Sequence, residues 1–280
     1  MGEKKIQLPA VTAIVGDDYL PKQGELLSKA VNEARTLTFE AHTKTLDAIK
    51  IIATEPSLKD AIEKLCPRFL EHVRMNFRVQ DDTHLLPDLH VLEEMVRLTN
   101  AGLNSHALVI RQWGTRKDDI RSETGAPVGG WVPSNMKDYA VRMLDFVSPG
   151  GCLDMNYTNN EHIVIYFGKI TPENYEWTVD TVIHEATHKF ANSRDFTRDA
   201  PWKRAWEYAA DYRRLGVEPV VKGDWAELTE KMALRNAYGL TIYMHYMPDT
   251  DLKLFAAGIM QANRAIGNRT VFDSISNDSL

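Results

Sequence analysis

His184, Glu185 and His188 stand in the order His-Glu-x-x-His, a spacing suited to holding a metal ion. Residues four apart lie on one face of a helix, so both imidazoles can reach a single tetrahedral ion. Glu185 lies next to them, on the side where such an ion would bind water. The three residues therefore predict a zinc site in which the two histidines are ligands and the glutamate activates water.

The segment around this motif has the pattern of an amphipathic helix. Thr171 followed by Pro172 is a typical helix start, and a run of β-branched and aromatic residues at 162–167 predicts a strand just before it. Apolar residues recur on the side of the helix away from the two histidines, so that side can pack on a core while the other presents the ligands. These apolar residues are Val179, Val182, Ile183, Ala186 and Phe190.

A catalytic zinc usually takes three protein ligands and leaves a fourth position for water. Two downstream carboxylates are candidates for the third ligand. Asp195 follows His188 by seven residues, just beyond the point where the helix is expected to turn back at residues 191–193. Glu207 begins a stretch in which Asp211 lies one helical turn further on.

The run HEATHKFANSRDF at 184–196 resembles the aspzincin metallopeptidases, the deuterolysin and peptidyl-lysine endopeptidase group. In that family a Gly-Thr-x-Asp-x-x-Tyr-Gly motif follows the two histidines, which aligns Ser193 with the Thr and Asp195 with the third ligand. Asn236 and Ala237 are similar to the family's later Asn-Ala-Asp segment. The resemblance covers the last half of the chain, and it implies a Zn2+ endopeptidase with a zincin-like fold that cleaves peptide or protein substrates.

The chain departs from the family motif at several positions. Asn192 replaces the Gly, and the oxyanion-stabilising Tyr falls at Arg198, which leaves Arg198 or Tyr208 as candidates for that role. Tyr238 stands where the family has the Asp that helps to bind a substrate lysine. Without that carboxylate, the lysine preference of the family is not expected here.

Two alternatives stay open from the sequence. Gluzincins take their third ligand from a downstream Glu-x-x-x-Asp, and Glu207 fits that pattern. The second alternative is a non-catalytic interaction module with a structural zinc, but a structural zinc site is usually closed by four protein ligands.

Of the remaining polar residues, Asp180 is a candidate to orient a ligand imidazole, and His245 is expected to be packed or exposed rather than a ligand. The strand at 162–167 is a candidate to pair with an extended substrate, as zincin-like folds imply.

The order of predicted elements indicates a mostly helical α+β fold with a small sheet. We expect an N-terminal helical lobe over residues 1–104 and a zincin-like catalytic domain over residues 105–280. The lobe is predicted to contain helices at 24–54, at 58–75 with an interruption at Pro67, and at 91–98. The second part is predicted to contain strands at 107–110 and 162–167, a loop at 125–133, and helices at 134–147, 202–215 and 224–247.

Composition narrows the classes of partner. With 33 basic and 39 acidic residues and a net charge of −6, no single-sign surface is expected to attract nucleic acid or a membrane. Residues 1–20 lack the continuous apolar stretch of a signal peptide, so we expect a cytoplasmic location or delivery by a dedicated secretion system, as bacterial toxins and effectors use.

Cys66 and Cys152 allow one optional disulfide, and neither their pairing nor the oligomeric state can be read from the sequence.

Overall fold

The computed structural model describes residues 2–79, 81–113, 130–132, 162–193 and 233–247. These residues form an α+β fold that is mostly helical and has one small mixed sheet. The strands are β1 (Lys4–Gln7), β2 (Thr12–Val15), β3 (Val109–Trp113), β4 (Gly130–Trp131) and β5 (Ile163–Tyr166). The α-helices are α1 (Pro21–Thr54), α2 (Leu58–Lys64), α3 (Pro67–Phe77), α4 (Leu85–Leu103), α5 (Tyr175–Ala191) and α6 (Ala237–Tyr246).

The sheet has the order β1-β2-β3-β5-β4. Its central pairs, β2 with β3 and β3 with β5, are parallel, whereas β1 and β4 are antiparallel to their neighbours. Within the described residues β4 is therefore an outer strand, and it covers β5 at Val164 and Ile165. Because β3 occupies the other side of β5, Val164 and Ile165 are paired on both sides, so the strand at 162–167 cannot pair with an extended substrate at these two residues.

Helix α1 is the centre of the helical layer, and it contacts α4, α5 and α6. Its buried face is built largely from small residues at three- and four-residue steps, which let the neighbouring helices approach closely. The buried alanines of this face are Ala30, Ala34, Ala41 and Ala48. Helix α5, which carries the His-Glu-x-x-His motif, is therefore held between α1, α4 and α6.

The predicted N-terminal helices are present with changed bounds. α1 begins three residues earlier than predicted and ends at Thr54, and α4 is longer than the predicted 91–98. The predicted helix at 58–75 is two helices, because Pro67 disfavours the helical conformation of Cys66 and is itself suited to the first turn of α3. Of the predicted helix at 224–247 the structure describes residues 233–247, where Asn236 is extended and α6 begins after it.

The strands show what the sequence analysis missed. β1 and β2 lie in the segment predicted to be a helical lobe, and β4 lies in the predicted loop at 125–133. β2 pairs in parallel with β3, so the described sheet crosses the predicted boundary between residues 1–104 and 105–280. The predicted helices at 134–147 and 202–215 lie outside the described residues.

Among the described residues, no helix combines the length and the apolar character needed to cross a membrane.

Candidate metal centre

Helix α5 carries the His-Glu-x-x-His motif and is placed by its two ends. A 3-10 turn at Pro172–Asn174 leads from the sheet into the helix, near the start predicted from Thr171 and Pro172. The predicted apolar stripe is buried except for the half-buried Phe190. At the other end Asn192 adopts the left-handed conformation, which asparagine tolerates better than most residues, and the helix ends there.

The rings of His184 and His188 lie side by side on the half-buried face of α5. Their centroids are 4.8 Å apart, and the ring planes are almost perpendicular. The two Nε2 atoms approach to 3.2 Å. The one-turn spacing in the sequence therefore brings two imidazole nitrogens close together.

The hydrogen bonds of Thr241 determine which nitrogen of His184 carries the proton. The Thr241 hydroxyl has one proton, and it donates to the carbonyl oxygen of Ala237 at 2.8 Å. Towards Nδ1 of His184, 3.4 Å away, Thr241 Oγ1 can then act only as the acceptor. In the neutral ring the proton of His184 consequently lies on Nδ1, and Nε2 keeps its lone pair.

A second set of hydrogen bonds gives the same result for His188. Its Nδ1 lies 3.1 Å from the carbonyl oxygen of Ser193, which can only accept, and 3.1 Å from Ser193 Oγ. The Ser193 hydroxyl is 2.6 Å from Thr187 Oγ1, whose own proton is donated to the carbonyl oxygen of His184. Ser193 therefore donates to Thr187 and accepts from His188, which places the proton of the neutral His188 ring on Nδ1.

The left-handed turn at Asn192 explains how Ser193 reaches this position. It directs the chain back along the helix, so that the Ser193 amide donates to the carbonyl oxygen of Thr187 at 3.2 Å. That closure is typical of a helix that ends at a left-handed residue. A local feature of the sequence, an Asn-Ser pair after the motif, thus fixes the orientation of the His188 ring.

The two converging nitrogens fit zinc. Nitrogens bound at about 2.0–2.1 Å to a tetrahedral zinc are separated by about 3.3 Å, close to the 3.2 Å between the Nε2 atoms of His184 and His188. Nδ1 hydrogen bonds of the kind seen here are the usual support of a zinc-bound histidine.

Glu185 lies on the side of α5 that faces β4. Its side chain is buried, with 4% of its surface exposed. A Cβ atom added to Gly130 would lie 3.1 Å from Cγ of Glu185, 3.1 Å from Cγ2 of Thr181 and 2.8 Å from the carbonyl oxygen of Val164. Only a glycine fits at this point of β4, where the strand passes directly over the glutamate.

Helix α6 covers the histidines from the other side. The ring of Tyr238 packs on the ring of His184, with 4.6 Å between centroids and an angle of 55° between planes. Tyr238 is half-buried. The residue at the position of the family's lysine-binding Asp therefore contacts a predicted metal ligand and presents an aromatic ring there.

Asp180, predicted as a candidate to orient a ligand imidazole, pairs instead with His245 of α6. Burial disfavours the charged imidazole and lowers the pKa of His245, but Asp180, Glu176 and Glu33 together outweigh burial, so the pKa is raised above its ordinary value. His245 is thus packed, as expected, and its imidazole pairs with the carboxylate of Asp180.

The remaining candidate residues lie outside the described residues. These are both candidates for the third ligand, Asp195 and Glu207, with Asp211, and both candidates for oxyanion stabilisation, Arg198 and Tyr208. Within the described part of the chain, no group of three or more His, Cys, Asp or Glu side chains is close enough together to hold a metal. The described site consists of the two imidazoles, their hydrogen-bond partners and Glu185.

Sequence reasoning missed the role of Thr241 and of the hydroxyl of Ser193. Thr241 is 57 residues from His184 in the chain, and nothing in the local sequence indicates that it accepts a hydrogen bond from that ring. Ser193 was aligned with the family's Thr without a role. Its position just after a residue able to end a helix was the available signal.

Comparisons of the chain with protein-family models, with curated proteins and with solved structures give no match.

Proposed function

We propose that this protein is a zinc metalloendopeptidase of zincin-like fold that hydrolyses peptide bonds in a peptide or protein substrate. The observation that carries the proposal is the convergence of the His184 and His188 Nε2 atoms at 3.2 Å, with both rings supported at Nδ1. The resemblance of residues 184–196 to the aspzincins supports the same function, and Asp195 is the third ligand we propose, with Glu207 as the alternative.

In this proposal Glu185 moves protons, and His184 and His188 hold the zinc. Zinc, when bound, would act as a Lewis acid that lowers the pKa of its water and polarises the scissile carbonyl. Glu185 takes the proton of the attacking water and then donates it to the leaving amine. The Nδ1 hydrogen bonds of His184 and His188 keep their Nε2 lone pairs directed to one point. The close passage of β4 at Gly130 restricts the space around Cγ of Glu185.

The decisive experiment is the Glu185→Gln variant. Glutamine keeps the size and the hydrogen-bonding capacity of the side chain but cannot take up a proton, so we expect wild-type zinc content and a loss of hydrolysis of about 100-fold or more. Zinc content is measured by atomic emission, and hydrolysis is measured with fluorescein-labelled casein. The matched control is Glu71→Gln, which changes an exposed glutamate of α3 and is expected to leave both quantities unchanged.

The outcomes separate the alternatives. Unchanged turnover in Glu185→Gln would contradict the proposed role of this residue. A protein that binds zinc stoichiometrically but hydrolyses nothing in its wild-type form would support a non-catalytic zinc module. Purified wild-type protein that neither contains nor takes up a transition metal would contradict the proposal as a whole.

A further inference from the structure

Helices α5 and α6 run antiparallel, and polar contacts join them at regular steps. Asp180 pairs with His245, and one turn further along both helices His184 meets Thr241. Beyond the end of α5, the guanidinium of Arg235 donates to the carbonyl oxygen of Asn192 at 3.4 Å. The pair at Asp180 is therefore in register with the hydrogen bond that supports a predicted ligand.

The pair lies in a mostly buried setting. The side chains of Asp180 and His245 are 13% and 11% exposed. The charged groups near His245 in the described residues are Asp180 and Glu176 of α5 and Glu33 of α1. A buried ion pair loses most of its attraction to the cost of desolvation, but an arrangement that separates the two partners leaves a charge buried without compensation. The pair therefore favours arrangements of α5 and α6 that keep Asp180 and His245 together.

The rest of α6 is attached without this pair. The ring of Tyr243 packs on Phe77 with 5.4 Å between centroids, and its hydroxyl is 2.7 Å from the hydroxyl of Thr45. These contacts join α6 to α1 and α3, whereas the contacts of His245 and Thr241 join it to α5. A slide or rotation of α6 relative to α5 would take Thr241 away from His184.

We propose that Asp180 and His245 are positioning residues, which fix the register of α6 on α5 and thereby hold Thr241 and Tyr238 against the imidazole of His184. The proposal deepens the proposed function and rests on it where zinc is concerned. Its geometrical core does not depend on zinc, because the contacts of His184 with Thr241 and Tyr238 are made within the chain itself.

The test compares Asp180→Asn and His245→Gln with a matched control. The control is Glu93→Gln, which breaks the other described His–carboxylate pair of similar burial, His42 with Glu93 at 2.7 Å, between α1 and α4. The first readout is the ¹⁵N NMR signal of the His184 imidazole in metal-free full-length protein, which reports the Nδ1 hydrogen bond. The second is zinc affinity, measured by competition with a chromophoric chelator.

We expect both α5–α6 variants to shift the His184 nitrogen signals and to weaken zinc binding by about 10-fold or more, as the loss of a partner behind a ligand does. The double variant should lose little beyond either single variant, because one pair is removed in each case. Glu93→Gln should leave the His184 signals in place and zinc affinity within about twofold, even if it lowers the melting temperature equally.

The two readouts keep the failures apart. His184 signals that are the same in Asp180→Asn, His245→Gln and wild-type protein would overturn the positioning role. Shifted signals in a protein whose wild-type form binds no zinc would support the positioning role and contradict the proposed function. Should Asp180→Asn fail to fold by circular dichroism, His245→Gln and a conservative Asp180→Glu variant, which keeps the charge and should retain wild-type signals, decide the question.

Discussion

The backbone of Gly102 in α4 packs directly against the ring of Phe190 in α5. A Cβ atom added to Gly102 would lie 2.0 Å from Cγ of Phe190, with two further ring atoms at 2.3 and 2.5 Å. Carbon atoms normally pack about 3.5–4.0 Å apart, so the ring would have to retreat by about 1.5 Å or the helices would have to separate. Phe190 follows His188 by two residues, so either movement would disturb the last turn of the site helix.

The expected cost of Gly102→Ala follows from two opposing terms. Overpacking costs about 1–3 kcal/mol, and alanine recovers up to about 1 kcal/mol over glycine within a helix. We therefore expect a net loss of up to about 2 kcal/mol of unfolding free energy, which corresponds to a fall in melting temperature of up to about 8 °C. Urea unfolding and differential scanning calorimetry measure these quantities.

The informative result is a change of sign in a double-mutant cycle. In a Phe190→Ala background the ring is absent, so the methyl group of Gly102→Ala meets no clash and only the helix-propensity gain remains. Gly102→Ala should then be neutral or stabilising by up to about 1 kcal/mol. Equal destabilisation by Gly102→Ala in both backgrounds, or stabilisation in both, would refute the reasoning from the ring position.

Three further predictions concern the site and the core. Gly130→Ala places a methyl group 2.8 Å from a backbone oxygen and 3.1 Å from Cγ of Glu185. We therefore expect casein hydrolysis to fall by about tenfold or more. Full activity in the zinc-loaded variant would contradict the close contact. Thr241→Val removes the acceptor for Nδ1 of His184 at almost constant volume, and chelator competition should show zinc affinity reduced by about tenfold, whereas an unchanged affinity would mean that the hydroxyl does not support the ring. Burial lowers the pKa of His72 to about 4 from 6.5, so the folded state binds fewer protons than the unfolded state between these values. The stability contributed by the neutral ring is complete above pH 6.5 and is lost as the pH falls towards 4, by at most about 3 kcal/mol. The urea unfolding midpoint of His72→Gln should therefore depend less on pH over this range than that of the wild-type protein. An equal pH dependence in both proteins would exclude His72 as the cause.

The sequence alone determined the local part of the site. The His-Glu-x-x-His spacing, the apolar stripe behind it and the Thr-Pro start predict one helix with two imidazoles on one face, and the structure has that helix at Tyr175–Ala191. The turn expected at residues 191–193 is also present, with Asn192 in the left-handed conformation. These features could be predicted because helical periodicity and helix ends depend on residues a few positions apart.

The tertiary structure decided what surrounds that helix. The supports of His184 come from Tyr238 and Thr241, the neighbour of Glu185 comes from Gly130, and strands β1 and β2 join a sheet whose other members lie about a hundred residues later. The two-residue β4 is too short to give a periodic signal, and it forms here because the neighbouring strand β5 supplies its hydrogen bonds. Contacts between distant segments depend on how helices and strands pack, and local sequence patterns do not predict that packing.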